Sequence, residues 1–294
     1  MDGITAQLLG LQIFTGLALG AIYVLLAVGL SLIFGMLTVV NFAHGAFFMV
    51  GAYAGYSLYQ IFPNFWICLI GVPVITGAIG LLVERFLVRP LYGRGIDYPL
   101  LLTFGLAYVM VELVRMGYGK QGLPFDTPEA LQDSVDVFVG QFPAYRIFVI
   151  VVTAVILVGL WFFIEKTSFG LIIRAGARDP SIVRILGIDI TKVWLIVFGL
   201  GTGIAGLAGV LSAPLQGITP EMGGSVLIIS FVVTVVGGMG SLVGAVIAGL
   251  LVGVVESLAV LFFPEGAKVS MFVIMALVLL VKPQGLFGRS GLMS

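Results

Sequence analysis

Charged side chains are scarce in this sequence, and their scarcity excludes a water-exposed globular fold. Asp, Glu, Lys and Arg together make up 10% of the 294 residues, whereas about a quarter is usual in a soluble domain. None of these four residue types occurs between Gly3 and Val83. Hydrophobic residues make up 60% of the chain, so we predict that membrane lipid surrounds most of it.

Cysteine and histidine are almost absent, which excludes several kinds of site. Cys68 is the only cysteine and His44 the only histidine, so neither a disulfide within the chain nor a multi-cysteine metal site can form. The formal net charge is zero, which gives no indication of a nucleic-acid partner. No Gly-x-x-x-x-Gly-Lys-Ser/Thr phosphate loop is present. We therefore predict no nucleic-acid partner, no metal, no cofactor bound by this chain and no catalytic residues.

Long apolar segments follow one another along the chain. A helix needs about 20 apolar residues to cross the hydrocarbon core, and runs this long favour helices over barrel strands. The candidate spans lie at roughly residues 8–34, 36–59, 65–88, 98–117, 146–164, 191–213, 225–238, 241–263 and 268–282. We predict an all-α fold, a polytopic transmembrane helical bundle of about eight to ten spans. Discontinuous or re-entrant helices are expected among them, within one domain over residues 1–294.

Basic residues are concentrated in alternate connections, which indicates the orientation in the membrane. They are Arg85, Arg89, Arg94, Lys166, Arg174, Arg178, Arg184, Lys192, Lys282 and Arg289. Because such residues cluster on the cytoplasmic side, we place there the loop at about 165–190. The longest polar loop, at about 118–145, carries four acidic residues and is predicted on the opposite, periplasmic side.

Glycines and alanines recur four residues apart in several spans. Examples are Gly16 with Gly20, Gly51 with Gly55, Gly199 with Gly203, Gly201 with Ala205 and Gly209, Gly240 with Gly244, and Ala245 with Gly249 and Gly253. Small residues at this spacing let helix backbones approach closely, so we predict tightly packed helices. The turns before Gly51 and Gly244 also resemble each other weakly, and many transporters place the substrate path between two such repeats.

The polar pentapeptide Asn41-Phe-Ala-His-Gly45 interrupts the uncharged segment 8–59. That segment is about a dozen residues longer than two spans need, so we expect a turn or a helix break here. Asn41 suits a cap on free backbone N–H groups, and His44 titrates near neutral pH or bonds across helices. Two interpretations stay open, a structural cap and the lining of a substrate path. The candidate path residues are Asn41, His44 and Gly45, with Gly237, Gly238 and Gly240 in the later turn.

The basic segment 167–189 contains a short amphipathic helix. Asp179 and Pro180 form a helix start signal, and Gly187 ends the helix. Its apolar residues are Ile182, Ile185 and Leu186. Such a helix on the inner face could dock into a groove on a soluble partner, and the alternative is a basic loop with an incidental helix. The candidate docking residues are Arg174, Arg178, Asp179, Pro180, Arg184 and Gly187.

Few charged residues lie within the spans, and such residues usually face the protein interior or water. Glu84 adjoins Arg85, and Glu256 has no obvious partner in its own helix. Glu112 and Arg115 are three residues apart on one helix face, which predicts an ion pair between them.

The stretch from Gly29 to Tyr53, GLSLIFGMLTVVNFAHGAFFMVGAY, resembles the characteristic segment of branched-chain amino acid permeases of the Liv type. Further motifs resemble this family in the same order: RPL from Arg89, RAGARDP from Arg174, ILGI from Ile185 and GGMGSLVGA from Gly237. The resemblance spans about residues 10–285. The position after Gly45 is often acidic in relatives and is Ala46 here, so we infer no acidic site there.

The resemblance implies the membrane permease subunit of an ATP-driven (ABC) importer in the bacterial inner membrane. Such a subunit pairs with a second homologous permease and with two cytoplasmic ATP-binding subunits, which carry the ATP. A periplasmic substrate-binding protein delivers branched-chain or other hydrophobic amino acids. In this family the segment matching residues 174–188 couples the permease to its ATPase, so the resemblance favours the docking interpretation.

Other functions compete with this one. Permeases for urea and short amides look similar, although they more often show Met-Ala-His-Gly where this chain has Phe42-Ala-His-Gly45. An ion-coupled secondary transporter or channel needs polar or acidic residues near the midplane, and the first 83 residues offer almost none. An intramembrane protease needs paired aspartates or a Ser–His pair, and Ser31 with His44 has neither the motif nor a clear geometry.

Overall fold

A computed structural model describes residues 6–37, 39–137 and 140–288. The α-helices in these residues are α1 (Ala6–Leu37), α2 (His44–Ile61), α3 (Phe65–Val83), α4 (Asp97–Tyr118), α5 (Ala144–Lys166), α6 (Ser168–Gly176), α7 (Pro180–Ile185), α8 (Ile190–Gln216), α9 (Met222–Gly237), α10 (Leu242–Phe262) and α11 (Val269–Val281). A π-helical turn, Glu84–Val88, follows α3, and 3-10 turns occupy Arg89–Leu91, Glu129–Leu131 and Pro264–Gly266. Strands β1 (Ser134–Val137) and β2 (Gly140–Pro143) form an antiparallel hairpin.

The predicted polytopic helical bundle is confirmed. Six helical segments of the described residues are long and apolar enough to cross a membrane, namely α1, Phe65–Leu91 (α3 with the turns after it), α4, α5, α8 and α10. Helices α9 and α11 are shorter and apolar. Each of the nine predicted spans overlaps with one of these eight segments or with α2.

The prediction for the second span was wrong at its start. Helix α1 continues to Leu37, and α2 begins at His44 rather than near residue 36. Gly35, the residue between the predicted spans 8–34 and 36–59, lies within α1, since a helix tolerates a single glycine at modest cost. The chain is interrupted instead around Asn41, where the polar pentapeptide predicted a turn or break. Arg289, one of the residues used for orientation, lies outside the described residues.

The chain forms two compact units. The first unit contains the described residues of 1–28, 126–154 and 229–294, and the second contains those of 29–125 and 155–228. In the second unit, α8 packs along α2 and α3. A Cβ on Gly77 of α3 would lie 3.1 Å from the Gly199 carbonyl O, and a Cβ on Gly203 would lie 2.9 Å from the Pro73 carbonyl O. These helices therefore approach at backbone level, as the spacing of the small residues predicted.

In the first unit, the N-terminal part of α1 packs against α10. A Cβ on Gly20 would lie 3.0 Å from the Gly249 carbonyl O. Nearby, Gln12 Nε2 donates to the Ser257 carbonyl O at 2.7 Å, and Ser257 Oγ donates to the Gln12 carbonyl O at 2.8 Å. These reciprocal bonds fix one helix beside the other, and the close approach predicted for Gly20 and Gly249 is confirmed.

Candidate functional site

Hydrogen bonds to Asn41 stabilise the chain between α1 and α2, where the helix is interrupted. Asn41 is 0% exposed, and its Oδ1 accepts the Ala43 N–H at 3.0 Å. Its carbonyl O accepts the His44 N–H at 3.1 Å. These bonds satisfy donors that are otherwise left free near the start of a helix, so the predicted break is confirmed. The buried Nδ2 atom of Asn41 has no hydrogen-bond partner among the residues that the structure describes.

Thr103 of α4 also forms a hydrogen bond with the backbone of this break, a contact that the sequence pattern did not indicate. Thr103 is fully buried, and its Oγ1 accepts the Phe42 N–H at 3.1 Å and donates to the Leu100 carbonyl O at 3.1 Å. The Phe42 and Phe104 rings pack edge to face at 6.2 Å. A hydroxyl in a mostly apolar span was the signal in the sequence, but it did not identify the partner.

His44 and Gly45 begin α2 in close contact with other helices. The His44 ring is buried, and its Cε1 lies 3.1 Å from the position that a Cβ on Gly29 would take. A Cβ on Gly223 of α9 would lie 2.7 Å from the Gly45 carbonyl O. The second unit thus brings Asn41, His44 and Gly45 together. Their path-lining role stays a prediction, and the geometry also fits the cap-and-packing interpretation.

Gly237, Gly238 and Gly240 form the turn between α9 and α10 in the first unit. Gly238 and Gly240 have φ angles of 100° and 79°, which residues other than glycine rarely adopt. The chain after α11 caps this end of α9, because the N–H groups of Leu286 and Phe287 donate to the last two carbonyls of α9 at 2.8 and 2.9 Å. The path role of the three glycines also stays a prediction.

The short helix predicted in the basic segment is confirmed as α7. The Asp179 carboxylate accepts the N–H groups of Ser181 and Ile182 at 2.8 and 3.2 Å, which caps the helix N-terminus. Pro180 is the first residue of the helix. Gly187 has a φ of 80° and ends the helix in the left-handed conformation, as predicted.

Three arginines lie around α7. Arg174 forms an ion pair with Glu165 of α5, and the Arg184 guanidinium lies 5.6 Å from the Trp194 ring centroid, within cation–π range. Arg178 is exposed. The six predicted docking residues thus occupy α6, α7 and the turns that follow them, and their coupling role stays a prediction.

One face of α7 is apolar and exposed. Ile182, Ile185 and Leu186 expose 56%, 83% and 71% of their surface, whereas Val183 is buried. The predicted amphipathic character is therefore confirmed. Apolar side chains exposed singly are common, but three on one short helix form a surface suited to a partner.

Glu84 has partners that its neighbours in the sequence did not indicate. The Glu84 carboxylate is buried at the end of α3 and pairs with Arg89 at 2.8 Å rather than with the adjacent Arg85. It also accepts a hydrogen bond from Tyr92 Oη at 3.0 Å. Burial and the nearby Glu84 charge raise the pKa of Tyr92 above its ordinary value, so this hydroxyl stays protonated and remains a donor.

The predicted ion pair of Glu112 and Arg115 is confirmed, and Glu221 joins it. Arg115 Nη1 pairs with Glu112, and Arg115 Nη2 lies 2.8 Å from Glu221 Oε1. The hydrogen bond from Arg115 lowers the pKa of Glu221, which lies in the connection before α9. Glu256 accepts a bond from Tyr23 Oη of α1 at 2.9 Å, a partner from another helix.

The candidate residues are distributed over both units. Residues 41–45 and 174–187 belong to the second unit, and residues 237–240 belong to the first. Over residues 6–37, 39–137 and 140–288, no group of three His, Cys, Asp or Glu side chains is arranged to hold a metal ion. The candidate residues therefore lie at the two helix breaks and around α7.

Known proteins resemble the chain over nearly its whole length. A family model described as branched-chain amino acid transport system / permease component matches residues 12–282. The high-affinity branched-chain amino acid transport system permease protein LivH of Salmonella typhimurium is 30% identical over 292 residues, which cover 95% of each chain. The corresponding permease protein BraD of Pseudomonas aeruginosa matches with the same identity and coverage. The permease protein LivM of Salmonella typhimurium is 28% identical over 90% of this chain and 67% of LivM.

Proposed function

We propose that this chain, which belongs to the branched-chain amino acid transport permease family, is the membrane permease subunit of an ATP-driven (ABC) importer. Its cargo is a branched-chain or other hydrophobic amino acid that a periplasmic substrate-binding protein delivers. Two cytoplasmic subunits bind and hydrolyse the ATP, and a second, homologous permease completes the path. The chain is placed in the bacterial inner membrane, with α7 on the cytoplasmic side.

The exposed apolar face of α7 is the observation that carries this proposal. Ile182, Ile185 and Leu186 lie outside the candidate spans on a helix with capped ends, so water covers them unless a soluble partner does. Their burial in a groove of an ATP-binding subunit removes apolar surface from water. The neighbouring Arg178 and Arg184 add positive charge that such a groove can complement.

The similarity to two different permease proteins supports a second membrane subunit. This chain resembles both LivH and LivM of Salmonella typhimurium. Both names refer to a high-affinity branched-chain amino acid transport system. Two homologous chains that pack side by side give a pseudo-symmetric pair, an arrangement that many transporters use to form a path.

For the substrate path we propose the break between α1 and α2. A zwitterionic amino acid loses its hydration in lipid at a heavy cost, so the path must offer polar groups. The buried Nδ2 of Asn41, which has no partner in the described part of the chain, provides a donor for a substrate carboxylate. His44, Gly45, Gly237, Gly238 and Gly240 are the other candidate path residues.

Reconstitution tests the transporter class. The complex isolated through a tag on this chain should take up leucine into proteoliposomes only with ATP, and uptake should survive the collapse of sodium and proton gradients. Uptake that persists without the ATP-binding subunits and stops when a gradient collapses would identify an ion-coupled transporter instead. Uptake of urea or acetamide in place of leucine would identify the alternative cargo.

Gly187→Trp tests the coupling role of α7. Gly187 has a φ of 80°, and an added Cβ would meet no other segment within 4 Å, so the substitution strains the backbone of the turn after α7. We expect normal insertion and reduced substrate stimulation of the ATPase. Gly119→Trp is the matched control, because Gly119 has a φ of 85° and open space around an added Cβ. Unchanged stimulation in Gly187→Trp would remove α7 from the mechanism.

His44→Gln separates the two interpretations of the first break. If the buried His44 ring serves only capping and packing beside Gly29, assembly should be normal and the loss of leucine uptake small. A large loss of uptake by a normally assembled complex would show that His44 lines the path.

A further inference from the structure

A buried ion pair lies where α3 ends. Glu84 is 0% exposed, and Arg89 donates to its two carboxylate oxygens at 2.8 and 3.3 Å. Tyr92 Oη donates to the same carboxylate at 3.0 Å. Glu84 also begins the π-helical turn Glu84–Val88, a backbone form that is frequent at functional sites. Since a buried charge that loses its partner is strongly penalised, these three side chains move as one group.

Aromatic contacts continue from this group to α7. The Tyr92 and Trp194 rings pack edge to face at 5.0 Å, and the Arg184 guanidinium of α7 lies 5.6 Å from the same Trp194 ring. The Nε1 atom of Trp194 is buried without a hydrogen-bond partner in the described ranges. Within the described residues, the contacts of this ring in the group are therefore those with Tyr92 and Arg184.

Trp194 belongs to α8, which is joined to α3 and α1 at backbone level. A Cβ on Gly77 of α3 would lie 3.1 Å from the Gly199 carbonyl O of α8. Further along, a Cβ on Gly29 of α1 would lie 2.8 Å from the Gly201 carbonyl O, beside the His44 ring. Closely packed helices transmit a displacement instead of absorbing it. A displacement at the α7 end of α8 thus reaches the first helix break.

We propose that Glu84, Arg89, Tyr92 and Trp194 form a joint that transmits the movement of α7 to α3 and α8. Glu84 is the positioning residue of this joint, because its buried carboxylate holds both Arg89 and Tyr92. The proposal rests on the proposed function, in which an ATP-binding subunit moves α7. Arg184 then displaces Trp194, and Tyr92 passes this displacement to the end of α3.

Two substitutions interrupt the joint at different points. Tyr92→Phe removes only the hydroxyl that bonds to Glu84, and Trp194→Leu removes the ring between Tyr92 and Arg184. In the reconstituted complex we expect normal assembly and normal basal ATPase activity in both. Substrate stimulation of the ATPase and ATP-driven leucine uptake should fall about fivefold or more, the low end of couplings between distant sites. The double variant should lose little more than either single variant, because both interrupt one chain of contacts.

Trp161→Leu is the matched control for Trp194→Leu. The Lys166 ammonium lies 5.6 Å from the Trp161 ring, the same separation as in the pair of Arg184 and Trp194, but this pair lies within α5. We expect normal stimulation in this variant. An equal loss in Trp161→Leu and Trp194→Leu, or normal stimulation in both Tyr92→Phe and Trp194→Leu, would overturn the proposal.

The wild-type complex and Gly187→Trp separate this proposal from the proposed function. If wild-type uptake needs ATP and Gly187→Trp impairs it while Tyr92→Phe and Trp194→Leu behave as wild type, the proposed function stands and the joint is wrong. If the wild-type complex shows no ATP-driven uptake, both are wrong. If Trp194→Leu does not assemble, Tyr92→Phe, which lacks a single oxygen, decides the outcome.

Discussion

In the two helix breaks of this chain, different groups form hydrogen bonds with the backbone N–H and C=O groups that the helix ends leave free. Between α1 and α2, side chains do so, since Asn41 accepts the Ala43 N–H and Thr103 accepts the Phe42 N–H. Between α9 and α10, the backbone does so, through positive φ angles such as that of Gly238 and through the chain after α11. A side-chain cap can be altered one group at a time, whereas a glycine turn of this kind tolerates side chains poorly.

This difference between the breaks makes the first break the stronger candidate for the substrate path. The first break contains a buried amide group, Asn41 Nδ2, without a partner in the described residues. In the second break, the polar side chain of Ser241 already accepts the Gly244 N–H at 3.1 Å. The first break can thus offer a polar side chain to a substrate, whereas the glycines of the second can offer only backbone groups.

Gly238→Ala should give the largest loss of stability and would show how strictly the second break requires glycine. An added Cβ would lie 2.6 Å from Gly288 Cα, and the φ of Gly238 is 100°. Overpacking costs about 1–3 kcal/mol and a left-handed conformation about 1–2 kcal/mol. The free energy of unfolding should therefore fall by about 2–5 kcal/mol, which the thermal midpoint in detergent would report.

Gly93→Ala separates the two causes, because Gly93 has a φ of 80° and nothing within 4 Å of an added Cβ. Only the conformational cost of about 1–2 kcal/mol should appear there. Equal losses of unfolding free energy in Gly238→Ala and Gly93→Ala would mean that the contact with Gly288 adds no cost. The second break would then tolerate a side chain as well as the turn at Gly93 does.

Asn41→Ala should have an intermediate effect and tests the side-chain cap of the first break. The substitution leaves the buried Ala43 N–H without its acceptor, which costs about 1–3 kcal/mol. Asn64→Ala is the matched control, because Asn64 Oδ1 accepts the Trp66 N–H at 2.9 Å in an exposed position. Water can replace that bond, so the loss should be about 0.5–1 kcal/mol, at the low end for helix caps. Similar thermal midpoints for the two variants would show that burial of the first break does not matter.

Local residue chemistry explains why the sequence predicted both breaks and α7. Asn41 and Asp179 bond to N–H groups only two or three residues away, and Gly187 acts on its own backbone angle. Hydrophobic length predicted the spans in the same way, because crossing lipid needs a fixed number of apolar residues. The start of α2 was misplaced the most, because an apolar run does not show where a side-chain cap interrupts a helix.

Contacts between distant segments could not be predicted in this way. Thr103 lies 61 residues from Phe42 in the chain, and its hydroxyl gave no indication of that partner. Glu84 pairs with Arg89, five residues away, because a π-helical turn, with its i→i+5 bonds, follows α3. An ordinary helix would have favoured partners three or four residues away, and no local pattern indicated the π turn.

The smallest predicted effect is that of acid, which should weaken the first break through Glu221 and leave the second break unchanged. Glu221 lies two residues before Gly223, which contacts Gly45 of the first break. Arg115 forms an ion pair with Glu221. The hydrogen bond from Arg115 lowers the pKa of folded Glu221 below its ordinary value of 4.5. The ion pair therefore stabilises the folded protein above the ordinary pKa, and this contribution is lost as the pH falls through the lowered pKa.

Glu221→Gln should consequently lower the thermal midpoint slightly near pH 7, and the difference from wild type should vanish once the pH is below the lowered pKa of Glu221. The effect is small because largely exposed ion pairs are screened by water. Glu129→Gln, at an exposed site without an ion pair in the described residues, should show no such difference. Residues 238–241 contain no titratable side chain, so acid should loosen the first break and spare the glycine turn. If the thermal midpoints of wild type and Glu221→Gln differ by the same amount near pH 7 and in acid, the effect comes from packing. The ion pair would then not explain any difference between the two breaks.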